Sequence, residues 1–296
     1  MKRSIGITLV ISSVAIVALA STLALTTANS NPDKNSSMMG GSQHSVIADL
    51  GMGDIHNLML TQNELLIGTH QGLWSQVIGK ATKRIGSSQF DVMGLAMVNG
   101  EMVASGHPGL GEGNVNNLGL RTSMNGGITW EDTSLFGKID FHRLVSSGQS
   151  VMGISASDGG MMRSEDAGKT WSNLPNPGLY DLAMDPTNSR MVMGTTQSGL
   201  LKSIDGGKSF KAIPNTPILS LLSWDKARLT GVTPVGHVYQ SLDMGSTWER
   251  LAKEAGETMA LGVNGNQIAL LSGNTVFYSS DAGMTFVQRI TGVPGH

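Results

Sequence analysis

Ser164-Glu165-Asp166-Ala167-Gly168-Lys169-Thr170-Trp171 is one of five segments built to a single pattern. The others are SMNGGITW (123–130), SIDGGKSF (203–210), SLDMGSTW (241–248) and SSDAGMTF (279–286). Their first residues stand 41, 39, 38 and 38 apart, the spacing of a structural unit repeated in tandem. In each copy the side chain of the Asp, or of Asn125 in the first, can accept backbone amides of the turn it begins. The Gly at the fifth position (Gly127, Gly168, Gly207, Gly245, Gly283) allows a backbone conformation that a Cβ would penalise. The closing aromatic (Trp130, Trp171, Phe210, Trp248, Phe286) is a large apolar group placed to pack beneath the turn. The pattern predicts a stapled hairpin.

Working upstream from each hairpin, two further apolar alternations recur, and aligning them gives six units rather than five. First strands are predicted at 55–60, 92–97, 141–145, 180–184, 219–223 and 258–263, and second strands at 64–69, 101–106, 150–155, 190–195, 228–232 and 267–272. The first unit has GLWSQ (72–76) for a third strand but has lost the Asp that should follow. Residues 47–294 divide into six units of about 41, the size of a four-stranded blade. The predicted fold is all-β, a six-bladed β-propeller of four-stranded antiparallel blades. Val46 to Leu50 is a candidate outer strand for the last blade, which would tie the termini together.

These hairpins resemble the Asp-box, or BNR, repeats of sialidases and sortilin-like propellers, over nearly all of the chain after residue 46. More narrowly, SGHPGLGEGNVNNLGL (105–120), DFH (140–142) and THQGL (69–73) resemble a bacterial exported BNR-repeat family labelled glycosylhydrolase by similarity. Asp54-Ile55-His56-Asn57-Leu58 departs from the His-Ile-His-Gly-Leu of that family. Other Asp-box propellers, photosystem II assembly factors among them, bind proteins and catalyse nothing, so the resemblance implies a fold and leaves activity open.

Composition agrees with a turn-rich β protein: 39 of 296 residues are Gly, about twice the usual share, with no collagen period. With 20 basic against 22 acidic residues and no basic block, the chain lacks the footprint of a nucleic-acid binder. Cys is absent, which excludes disulfides, thiolate metal sites and a Cys nucleophile. Lys2 and Arg3 followed by an uncharged, largely apolar run from Ser4 to Ala28 read as a signal peptide or an uncleaved N-terminal anchor. Residues 29–45 read as a flexible linker and 46–296 as the propeller. The propeller is then expected outside the cytoplasm, periplasmic or secreted, as a monomer that meets the membrane only through that N-terminal segment. Loss of the two leading basic residues leaves 18 against 22, a mature charge of about −4.

In such a fold the turns between third and fourth strands share one face. The opposite face carries the links between blades and the loops between second and third strands, the segments free to vary. Chemistry-bearing residues collect there in the first three units. Asp54, Asp91 and Asp140 precede the first strands, His56, Met93, His142 and Tyr180 stand two residues further on, and the loops bring His70, His107 and Asp158. Glu112 lies in the longest loop, 106–119. Three readings of the Asp-x-His pattern stand side by side: hydrogen bonding between blades, a metal or small-ligand site, and a catalytic site. As metal ligands, His56, His70, His107 and His142 suit a divalent zinc or copper ion, and Met would favour copper. Met38-Met39 and His44 are weak copper candidates, whereas Met97, Met152, Met191 and Met193 read as core filling. For ligand binding the candidates are His107, Asp158, Glu112 and Tyr180.

A sialidase needs an arginine triad, a Tyr nucleophile and an acid/base carboxylate. Arg121 and Arg163 fall on third strands just before a stapled turn, the wrong face, as do Tyr239 and Tyr278, and only Arg143 and Tyr180 fall near the right one. No triad assembles. A generic glycosidase needs just two carboxylates, and Asp91 and Asp140 are the candidates, with Asp158 or Glu112 in reserve. The leading expectation is a binding module of the cell envelope for a ligand, a metal, a protein or a carbohydrate. A glycoside hydrolase other than a standard sialidase is the alternative.

Overall fold

A computed structural model describes residues 51–109, 115–254 and 256–293, with the side chains of 252–254 left aside. The signal segment, the linker with Met38, Met39 and His44, Val46 to Leu50, and Glu112 lie outside the described residues. Twenty-four strands form six antiparallel sheets of four, each drawn from consecutive chain, and no helix occurs among the described residues. The blades run 55–84, 91–134, 141–174, 181–212, 221–254 and 258–291. The protein is a six-bladed β-propeller.

The first strand Ile55–Leu60 and the second strands Glu64–Thr69, Ser150–Ser155 and Gln267–Ser272 match the predicted bounds, and the other first and second strands differ by one or two residues at an end. Fourth strands shrink to Lys83–Arg84 in blade 1 and Lys211–Ala212 in blade 4. Blade 1 is the unit that lacks the stapled turn. The closing aromatics of the turns sit one residue before the fourth strands of blades 2, 3, 4, 5 and 6 instead of within them.

The staples form as the side-chain chemistry requires. In blade 5, Asp243 accepts the Thr247 amide at 2.8 Å and the Thr247 hydroxyl at 2.6 Å, while the Ser241 hydroxyl accepts the Gly245 amide at 2.9 Å. Asn125 accepts the Thr129 amide at 3.0 Å, so the amide side chain replaces the carboxylate in that role. Trp171 and Trp248 fold back to donate their indole N–H to the carbonyls of Gly168 and Gly245. Each turn thus satisfies its own backbone and ends the hairpin on a packed ring.

These bonds set an acid response. In the ionised state Asp166, Asp243 and Asp281 accept bonds from a Thr hydroxyl first, then the Thr amide and the Ser hydroxyl, which lowers their pKa values to about 2. Asp205, bonded alike to Ser209 and Ser203, is lowered further. A folded pKa below the unfolded one, roughly 4, gives stability that is complete above pH 4 and lost as pH falls toward 2. Melting temperature is expected to drop across that window, and more shallowly when all four Asp become Asn. Equal slopes in the two proteins would refute the assignment.

Six apolar clusters hold the ring, each between adjacent blades. Leu66 and Leu73 of blade 1 pack on Phe90, Val92, Leu95 and Met102 of blade 2, and Leu221 and Val232 of blade 5 pack on Ile268 and Leu270 of blade 6. The ring closes by the same means. Ile55, Leu58 and Ile67 of blade 1 meet Ala269, Leu271 and Val276 of blade 6, and Arg289 Nε donates to Gln76 Oε1 at 2.6 Å. Among the described residues no strand is exchanged between the first and last blades. Met152 and Met193 are fully buried, as expected of core residues, but Met97 is 37% exposed and lines the channel.

Candidate functional site

The six first strands surround a central channel with a cavity of about 240 Å³, lined by Met59, Met97, Met184, Met259 and Trp224 among others. His56, Arg143 and Asp181 also line it, which ties the channel to the polar rim opposite the stapled turns.

On that rim the four candidate His divide into two groups instead of forming one quartet. His56, His70 and Asp91 make the first, at the boundary of blades 1 and 2, and His107, Asp140 and His142 make the second, at the boundary of blades 2 and 3. The pairing follows from register. Asp91 faces His107 across the first two strands of blade 2, so this blade sends Asp91 to the boundary with blade 1 and His107 to the boundary with blade 3.

In the first group His70 Nδ1 lies 2.9 Å from Asp91 Oδ2, and His56 Nε2 lies 3.0 Å from Asp91 Oδ1. Burial alone would raise the Asp91 pKa, but the adjoining His56 and His70 imidazoles outweigh it and hold the carboxyl below the ordinary range. In the second, Asp140 Oδ2 has His107 Nε2 at 3.1 Å and His142 Nε2 at 2.7 Å. Asp140 is 2% exposed, so this carboxylate has little access to solvent. No other group of three His, Asp or Glu ligand atoms this close occurs among the described residues.

The remaining candidates stand apart. Asp158 is exposed and accepts the Gly160 amide at 2.9 Å, and that bond, with a smaller one from Ser155, holds its carboxyl low. Tyr180 is 59% exposed with no part in either His group. Asp54 accepts the His70 amide through its backbone carbonyl.

Sequence reasoning passed over Asp181. Its carboxylate bridges three blades: Oδ1 accepts Leu182 N at 2.9 Å and lies 3.4 Å from Arg143 Nε, and Oδ2 accepts Leu222 N at 2.8 Å. The available signal was a lone Asp inside an otherwise apolar first strand. Asn57 was likewise missed: its side-chain amide donates to the Val92 and Met93 carbonyls and joins blade 1 to blade 2.

Fold and rim together define a β-propeller with paired His–Asp groups on the face away from its stapled turns. No protein-family model and no curated protein matches the chain. Solved structures do. YCF48 bound to D1 peptide is 18% identical with a TM-score of 0.51, covering 80% of this chain and 82% of that one. The nidogen/laminin complex gives 13% identity and a TM-score of 0.59, covering 78% of this chain and 94% of the other. The GH74 enzyme of Niastella koreensis gives 16% and 0.56, and there the match spans 45% of the neighbour's length. At these identities the likeness carries the fold alone.

Proposed function

We propose that the chain is an exported Asp-box propeller that acts outside the cytoplasm as a binding module for a protein or peptide partner. The observation that carries this reading is the asymmetry of the disc. Its stapled turns satisfy themselves on one face, while the other gathers four imidazoles and two carboxylates around blades 1–3. Such a broad, rigid face suits docking, and neighbours of the same fold include YCF48 with a peptide and a nidogen/laminin complex. The N-terminal Lys2-Arg3 and the apolar run behind them support export. An affinity capture from the envelope fraction with the full chain is expected to retain a specific protein. Capture should fall when exposed His70 and His107 are replaced by Ala, and capture that ignores both substitutions would place the docking face elsewhere.

Glycoside hydrolysis is the second reading, favoured by the two rim carboxylates Asp91 and Asp140 and by a GH74 fold neighbour. Turnover of fluorogenic glycosides that is abolished by Asp91→Asn would establish it. No turnover on any sugar would remove it.

A further inference from the structure

The two His–Asp groups look alike but differ in their hydrogen bonding. In the second, His107 Nδ1 lies 2.9 Å from the Asn116 carbonyl oxygen, which can only accept, so the ring proton is on Nδ1. A neutral His107 therefore presents a bare Nε2 lone pair to Asp140 Oδ2, 3.1 Å away. Two electron-rich atoms at that distance repel each other unless a second ring proton or a metal ion lies between them. His142 Nε2 reinforces the point. It lies 2.7 Å from the same oxygen, yet it is buried without a hydrogen bond of acceptable geometry, and so is Asp140 Oδ1. Atoms that crowd together without pointing at one another are arranged as ligands around a shared centre.

We infer that His107, His142 and Asp140 bind one divalent transition-metal ion of the zinc class, whatever partner the rim takes. Tetrahedral ligands about 2.1 Å from zinc stand about 3.4 Å apart, so the separations of 3.1 Å and 2.7 Å here would open by less than an ångström as the ion enters. Two imidazoles and a carboxylate are a zinc donor set with the fourth position open. The His107 and His142 side chains are 43% and 37% exposed, so that position faces solvent and can take water or a ligand. The Asn116 carbonyl supplies the outer hydrogen bond that fixes the ring of a metal-bound His. The ion would join the end of the second strand of blade 2 to the start of the first strand of blade 3.

The first group serves as the built-in control. There Asp91 Oδ1 is buried without a bond, as Asp140 Oδ1 is, but His70 Nδ1 already makes a bond at 2.9 Å to Asp91 Oδ2, whereas His107 spends its Nδ1 on a backbone carbonyl and keeps Nε2 for an ion. Calorimetric titration of the chelator-stripped full chain with zinc chloride is expected to show one ion per chain and a raised melting temperature. His107→Ala, a change at the end of a strand with a half-exposed side chain, should weaken binding at least tenfold and cancel the thermal shift. His142→Ala should do the same, whereas His70→Ala should leave both unchanged. Copper(II) in place of zinc should bind at the same residues, in keeping with its generally higher affinity for imidazole sites. No binding by the parent chain, or binding that survives His107→Ala and His142→Ala together, overturns the inference. Loss on His70→Ala with retention in His107→Ala overturns it equally.

Discussion

Gly168→Ala is expected to destabilise the propeller by about 4 kcal/mol, from roughly 1–3 for the strained backbone and roughly 1–3 for overpacking. Gly168 holds φ at +85°, and a Cβ built on it would lie 2.1 Å from Leu120 Cδ2. Leu120 cannot retreat, because it is wholly buried in the cluster with Phe141, Leu144 and Val151. Both penalties have a common source: the preceding blade packs directly under the turn. The same contact recurs at Gly127 on Leu73, Gly207 on Met152, Gly245 on Met193 and Gly283 on Leu251. The repeated Gly thus serves blade packing as well as turn geometry. Gly148 separates the two effects, since its φ is +59° and nothing lies within 4 Å of its would-be Cβ. Gly148→Ala should cost only about 1 kcal/mol. Urea unfolding of the two variants reads the difference directly, and equal losses would show that the interblade contact contributes nothing.

Asp181→Ala is expected to cost about 3 kcal/mol, since each buried donor left without an acceptor costs roughly 1–3. The substitution strands the amides of Leu182 and Leu222 and removes the partner of Arg143. Asp181→Asn keeps one side-chain oxygen and should lose about half as much. The pH dependence runs opposite to that of the turns. Burial raises the Asp181 pKa against the pull of Arg143 and the two amides, so its folded value exceeds its unfolded one. Ionisation then opposes folding, and this group's contribution declines as pH rises from about 4 through the folded pKa. The Asn variant should lack that decline. Stability curves measured between pH 3 and pH 8 check the sign, and an unchanged slope in Asp181→Asn would contradict it.

Much of the architecture was legible because its signals are local. Ser-x-Asp-x-Gly and the closing aromatic complete their hydrogen bonds within eight residues, so their recurrence alone counts five of the blades. Blade 1, which lacks the turn, was still found from the alternation in ELLIGT and GLWSQ. The rim was legible only in part. That His56, His70, His107 and His142 share a face follows from strand parity and loop position. Which of them meet depends on how one blade is rotated against the next.

The sequence by itself determined the all-β repeat, the number of blades, the stapled turns and the gathering of imidazoles and carboxylates on one side of blades 1–3, because periodicity and turn chemistry act between near neighbours. Only the tertiary structure decided that these side chains split between two blade boundaries, that Asn116 sets the proton on His107, and that Asp181 spans three blades. Those contacts join separate elements, and their geometry is set by the packing of whole sheets against each other. No spacing along one chain segment encodes it.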